Sequence, residues 1–138
     1  MKLSTRGKYG LYAMYYLAQH IGEGPQSLQA ITSTGVPKQY LEQLLGNLRR
    51  AGLVTTVRGA QGGYQLAKAP DAITMLDIID AMEGPIELSE CTAEGHHCGK
   101  SCDCRVRKVW SHLTDRINHE LSAVNLSDML TDQLGSEE

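Results

Sequence analysis

Apolar residues recur at helical spacing through the first fifty positions of the chain and then switch to a strand-like pattern. From Thr5 to Ile21, the residues Tyr9, Tyr12, Ala13, Tyr16 and Leu17 fall on one face of a predicted helix, ended by Gly22 and the Gly24-Pro25 pair. Ser27 suits the N-cap of a short helix with Leu28 and Ile31 inward, stopped at Gly35. Pro37 fits the first turn of a third helix, whose apolar face is Tyr40, Leu41, Leu44, Leu45 and Leu48 and whose end is Gly52. Two β-prone runs, Leu53–Val57 and Tyr64–Ala67, flank the turn Arg58-Gly59-Ala60-Gln61-Gly62-Gly63. Three helices followed by a hairpin with a basic tip form the outline of a winged helix-turn-helix.

Beyond residue 70 the helical period returns. Thr74 can cap a helix carrying Met75, Leu76, Ile78, Ile79 and Met82, with Asp77 at the capping-box position and Gly84-Pro85 as the stop. From about Cys104 a long helix aligns Val106, Val109, Trp110, Leu113, Ile117, Leu121 and Val124 on one stripe. Little else in so short a chain could cover that stripe, so a second copy of the same helix is expected to do so. Ser127 is read as the cap of a last short helix ending near Leu134. The expected organisation is a winged domain over 1–85 that includes a connecting helix at 74–83, a loop over 86–104, a dimerisation helix and short terminal helix over 105–134, and a tail over 135–138. The expected class is mostly α with a small β-hairpin wing.

Charge sharpens this picture. The net charge is −3, yet residues 1–70 carry eight Lys/Arg against two acids, and residues 71–138 carry five against fourteen. A basic half on an acidic protein is suited to a polyanion. On the third helix, Lys38, Gln39, Glu42 and Gln43 lie around the exposed start. Gln can pair with adenine, and Glu can accept from the cytosine amino group. Arg49 and Arg50 are better placed for phosphates or solvent. At the hairpin tip, Gly59, Gly62 and Gly63 permit a tight turn and close approach, and Arg58 can enter a narrow minor groove. A polar helix face or a flexible turn alone would mean little; together they predict binding to a double-stranded DNA operator. No apolar run reaches the roughly 20 residues that span a bilayer, and no signal-peptide layout is present, so a cytoplasmic protein is expected.

The loop holds Cys91, Cys98, Cys102 and Cys104, all the cysteines of the chain, with His96 and His97 among them. In a reducing compartment, such clustering points to metal or redox chemistry before disulfides. Thiolates are soft ligands for iron–sulfur clusters, and a glycine-containing loop can wrap round one. Zinc takes the same ligands, although paired C-x-x-C knuckles are absent. Cys102 or Cys104, beside Arg105, Arg107 and Lys108, also has the surroundings of a low-pKa thiol switch. A metal-dependent enzyme is the reading of a different class; Glu87, Glu90, Glu94 and Asp103 are too loosely placed to suggest its general base.

Four segments carry a specific resemblance: MKLSTRGKYGLYAM at the start, YLEQLLGNLRRAGLV at 40–54, VRGAQGGYQLAK at 57–68 and ITMLDIIDAMEGP at 73–85. With them the chain resembles, over nearly its whole length, the Rrf2 family of bacterial winged helix-turn-helix transcription regulators, in its cluster-binding branch. The resemblance implies a homodimer whose long C-terminal helices cross, and it places Gln39, Tyr40, Glu42 and Gln43 on the recognition helix and Arg58 at the minor groove. It also implies a cluster held by Cys91, Cys98 and Cys104, whose spacings of six and five residues fit the family pattern. Some cluster-binding members add a histidine three residues after the third cysteine, where this chain has Arg107. Others use an acid near the start of the first helix, where it has Lys8. Cys102 is then a candidate fourth ligand, with His96, His97, Asp103 or a partner residue as the others. A 2Fe–2S cluster is expected ahead of 4Fe–4S. The implied function is that of a repressor whose operator binding answers to a small-molecule or redox signal at the cluster.

Overall fold

The computed structural model describes residues 4–86 and 105–132. The four cysteines, and with them the expected sensor loop, lie outside the described residues. Helix α1 (Thr5–Gln19) starts at Ser4, whose hydroxyl accepts the Gly7 N–H at 3.3 Å. Its buried stripe is Gly7, Gly10, Ala13, Met14, Leu17 and Ala18, mostly small residues that let a neighbouring helix come close. A Cβ at Gly10 would stand 2.7 Å from Cγ and Sδ of Met82, so that contact with α4 (Met75–Glu83) requires glycine.

Ser27 caps α2 (Leu28–Ile31) by accepting the Ala30 N–H, as its sequence position predicts. A 3-10 turn over Thr32–Thr34 ends at Gly35 with φ +90°, and the chain then enters α3 (Lys38–Arg50). Leu41, Leu44, Leu45 and Leu48 are buried together with Met14, Ile31, Val36, Leu53 and Val54. Pro37 is the N-cap of α3 and not a residue of its first turn. Tyr40 does not join the apolar face: it is 52% exposed, at the edge of the stripe, its ring centroid 6.1 Å from that of Tyr9. Strands β1 (Val54–Val57) and β2 (Gly63–Leu66) pair antiparallel from Val54–Leu66 to Val57–Gly63.

Thr74 and Asp77 form the expected capping box on α4. Helix α5 (Arg105–Ala123) follows, then α6 (Leu126–Leu130). The cap of α6 is Asn125, not Ser127: its side chain accepts the Asp128 N–H at 2.9 Å while the Asp128 carboxylate accepts the Asn125 N–H at 3.0 Å. A capping box satisfies two end groups at once, which a cap at Ser127 could not do with Leu130 three residues on. The starts of α4 and α6 are laced together, since Met75 N–H donates to Val124 O at 2.8 Å and Leu126 N–H to Ile73 O at 3.0 Å. Leu126 is therefore fully buried in the same core as α1.

Helix α5 behaves differently. None of its nineteen residues is buried. Leu121, with Val124 just beyond the helix, packs on the core, whereas Val106, Val109 and Leu113 are 59%, 54% and 41% exposed. No helix among the described residues is long and apolar enough to cross a membrane.

Candidate nucleic-acid interface

The leucines of α3 turn its opposite face outward. Lys38, Gln39, Glu42 and Gln43 are all exposed on its first two turns, as their polarity predicts. The two arginines at its end diverge. Arg49 lines a groove of about 420 Å³ with Thr55 and Thr56 of β1, on the wing side. Arg50 lines a groove of about 680 Å³ between α3 and the start of α1, together with Ser4, Arg6, Tyr9 and Tyr40.

The wing is fixed by backbone contacts that leave no room for side chains. Arg58 and Gly59 are exposed at its tip, Gly59 has φ +113°, and Gly62 N–H donates to Gly59 O at 3.1 Å. A Cβ at Gly62 would collide with the Val57 carbonyl, and one at Gly63 with the Gln26 carbonyl. The second collision marks a third, one-residue strand. Gln26 N–H donates to Tyr64 O and Tyr64 N–H donates to Gln26 O, both at 2.8 Å. The Tyr16 hydroxyl reaches Gln26 Oε1 at 3.3 Å, and the Tyr16 ring stacks on His20. The segment preceding α2 thus holds the wing at a set angle to the helix-turn-helix.

Gln26 and Arg6 were not singled out by the sequence pattern, and Arg50 was read only with Arg49 as a residue for phosphates or solvent. Nothing in the spacing of an isolated Gln announces a strand, and the convergence of Arg6 with Arg50 exists only once α1 crosses α3. Elsewhere, desolvation by its neighbours, and then the nearby negative charge of Asp77, raise the pKa of Asp80, although the residue as a whole is exposed. Among the described residues no group of three or more His, Cys, Asp or Glu side chains could hold a metal ion.

A helix-turn-helix with an exposed polar second helix, followed by a glycine-tipped wing, defines a winged-helix DNA-binding protein. Residues 3–132 match the family described as "Rrf2: Iron-dependent Transcriptional regulator". The chain belongs to the Rrf2 family; it is a transcriptional regulator and not an enzyme. It is 43% identical to the HTH-type transcriptional regulator CymR of Bacillus subtilis (strain 168), covering 100% of this chain and 96% of that one. The solved structure of CymR, described as the global cysteine regulator of B. subtilis, superposes with a TM-score of 0.78 at 42% identity, covering 95% of this chain and 97% of that one. The structure of T. potens IscR superposes with a TM-score of 0.77 at 42% identity, covering 100% and 92%.

Proposed function

We propose that the protein is a homodimeric repressor that binds a roughly palindromic DNA operator and senses its signal through an iron–sulfur cluster in the Cys91–Cys104 loop. The observation that carries the dimer is α5, an amphipathic helix with no buried residue and with Val106, Val109 and Leu113 open to solvent. A second copy of that helix is the cover such a stripe requires. In the dimer, Lys38, Gln39, Tyr40, Glu42 and Gln43 of each α3 address bases in successive major grooves, about 34 Å apart. Arg49 contacts phosphate, and Arg58, carried by Gly59, Gly62 and Gly63, enters the minor groove.

The donor set fits a cluster. Cys91, Cys98 and Cys104 supply three thiolates and Cys102 a fourth, the soft ligands that iron–sulfur clusters take, with 2Fe–2S favoured over 4Fe–4S. When bound, such a cluster would supply a centre that gains or loses an electron or is modified by small oxidants. Arg105 opens α5 directly after Cys104, so the sensing loop runs straight into the dimer helix. Any change in the hold of the loop on that helix alters the spacing of the two reading heads.

A second reading replaces the cluster by a thiol or cysteine-responsive switch at Cys102 or Cys104. Two observations favour it: Arg107 and Lys8 stand where some cluster-binding members place a ligand, and the chain is 43% identical to CymR. Purification without oxygen, followed by a visible spectrum and assays of iron, zinc and sulfide, separates these. Absorbance between roughly 320 and 460 nm with matching iron and sulfide supports the cluster. Cys98→Ala should then lose it while the dimer persists. A colourless protein with zinc, or with no metal, overturns the cluster and leaves a structural zinc site or a thiol switch respectively. Arg58→Ala should weaken operator binding and lower the salt slope by about 1. Unchanged binding at several salt concentrations removes the wing from the interface.

A further inference from the structure

Gly46 lies in the middle of α3, where glycine destabilises a helix relative to alanine. The other tight glycines of the fold have visible causes within the chain. At Gly10 a Cβ meets buried Met82, and at Gly62 and Gly63 it meets backbone. At Gly46 it would meet only Nη1 of Arg50, at 3.6 Å, an ordinary contact with the far end of a flexible side chain. Nor is Gly46 among the glycines with positive φ. Neither backbone conformation nor internal packing calls for glycine here.

What surrounds Gly46 is a groove lined from α1 by Ser4 and Arg6 and from α3 by Gln43, Asn47 and Arg50. A guanidinium N–H of Arg50 donates to Asn47 Oδ1, which draws the charged head back beside Gly46. Two arginines from different helices therefore face the same space, and Glu42 is the one acid among the described lining residues. Guanidinium groups match phosphate oxygens in charge and in fork geometry. Gln43 belongs both to this groove and to the base-reading face, so the groove is continuous with the surface already assigned to the major groove.

We infer that this groove seats the sugar-phosphate backbone of one DNA strand beside the major groove, with Arg6 and Arg50 as phosphate ligands and bare Gly46 as the point of closest approach. The inference rests on the DNA-binding reading above. It adds Arg6, from a second helix, to the phosphate role that Arg50 can take, and it explains a helix glycine that stability alone would remove.

The test uses the full-length protein and a fluorescent duplex selected by the wild type from a random-sequence library. Binding is followed by anisotropy over a range of salt, and thermal unfolding is followed in parallel. Gly46→Ala should melt about 2–4 °C higher. It should also bind roughly tenfold more weakly, the effect of one methyl group forced into a closed contact. Arg50→Ala should bind more weakly, with a salt slope smaller by about 1. If the wild type selects no duplex, the DNA-binding reading itself fails. If it selects one and Gly46→Ala binds as tightly as wild type, or Arg50→Ala keeps the full salt slope, this inference alone is overturned. A Gly46→Ala protein that melts lower than wild type would also overturn it, by showing that the chain itself needs the glycine.

Discussion

Replacing Gly63 with alanine would test whether the wing is held by the segment before α2. A Cβ there collides with the Gln26 carbonyl and stands 3.0 Å from the Ser27 nitrogen. Both neighbours are backbone, so no rotamer change relieves the clash. The Gln26–Tyr64 bridge has to open, with the loss of two hydrogen bonds of 2.8 Å. At about 1 kcal/mol net for each bond, the loss is about 2 kcal/mol. The weaker Tyr16–Gln26 contact at 3.3 Å goes with it. For a domain of this size, that lowers the melting temperature by roughly 6–10 °C. Thermal unfolding gives the magnitude and amide hydrogen exchange gives the place. The Gln26 and Tyr64 amides should lose protection well beyond the global loss, while amides inside α1 and α4 follow global stability alone. An alanine variant with wild-type melting and protected Gln26 and Tyr64 amides would refute the bridge as the hold on the wing. DNA affinity should fall in the same variant, because Arg58 rides on the strand pair that the bridge orients.

Other outcomes follow from other parts of the fold. Leu113→Asp places a charge in the exposed stripe of α5 and should convert the proposed dimer to monomer in sedimentation equilibrium without loss of helix signal; an unchanged molecular weight would discard α5 as the interface. Asp80 has a raised pKa in the folded state, so its charged form opposes folding. That opposition is fully present above the folded pKa and vanishes as pH falls below the unfolded carboxylate value. Asp80→Asn should therefore raise stability at neutral pH, with the gain disappearing below about pH 4. A gain that is independent of pH would assign it to something other than charge.

Much of the architecture was legible because each element announces its period and its ends. The leucines of α3, the Gly35 turn and the Thr74–Asp77 box are local signals, and the folded chain uses them as read. Asn125-x-x-Asp128 was the same signal as Thr74-x-x-Asp77, so the cap of α6 was available in the sequence although Ser127 competed for it. Tyr40 misled because it sits at the margin of an apolar stripe, where an amphipathic ring can turn either way. The wing glycines could be read as a turn, but the reason for Gly63 could not. Its steric partner, Gln26, is brought to it only by the tertiary fold. Arg6 and Arg50 were likewise invisible as a pair until two helices crossed.

The double lacing of Thr74 and Asn125 gives α5 the mechanics of a lever. Its C-terminal end is pinned where Leu121 and Val124 meet the core, and the paired capping boxes of α4 and α6 clamp the chain just beyond it. Toward its other end Arg105–Val109 are exposed, Val106 at 59% and Val109 at 54%. At about 1.5 Å per residue the nineteen residues span about 28 Å, so a tilt of about 10° at the pivot moves the far end by about 5 Å. Read in reverse, a displacement of a few ångströms imposed at Arg105 reaches the winged domain as a small rotation about a stiff fulcrum. The leverage favours force over travel, which suits the proposed sensor, in which a whole reading head would turn through a small angle.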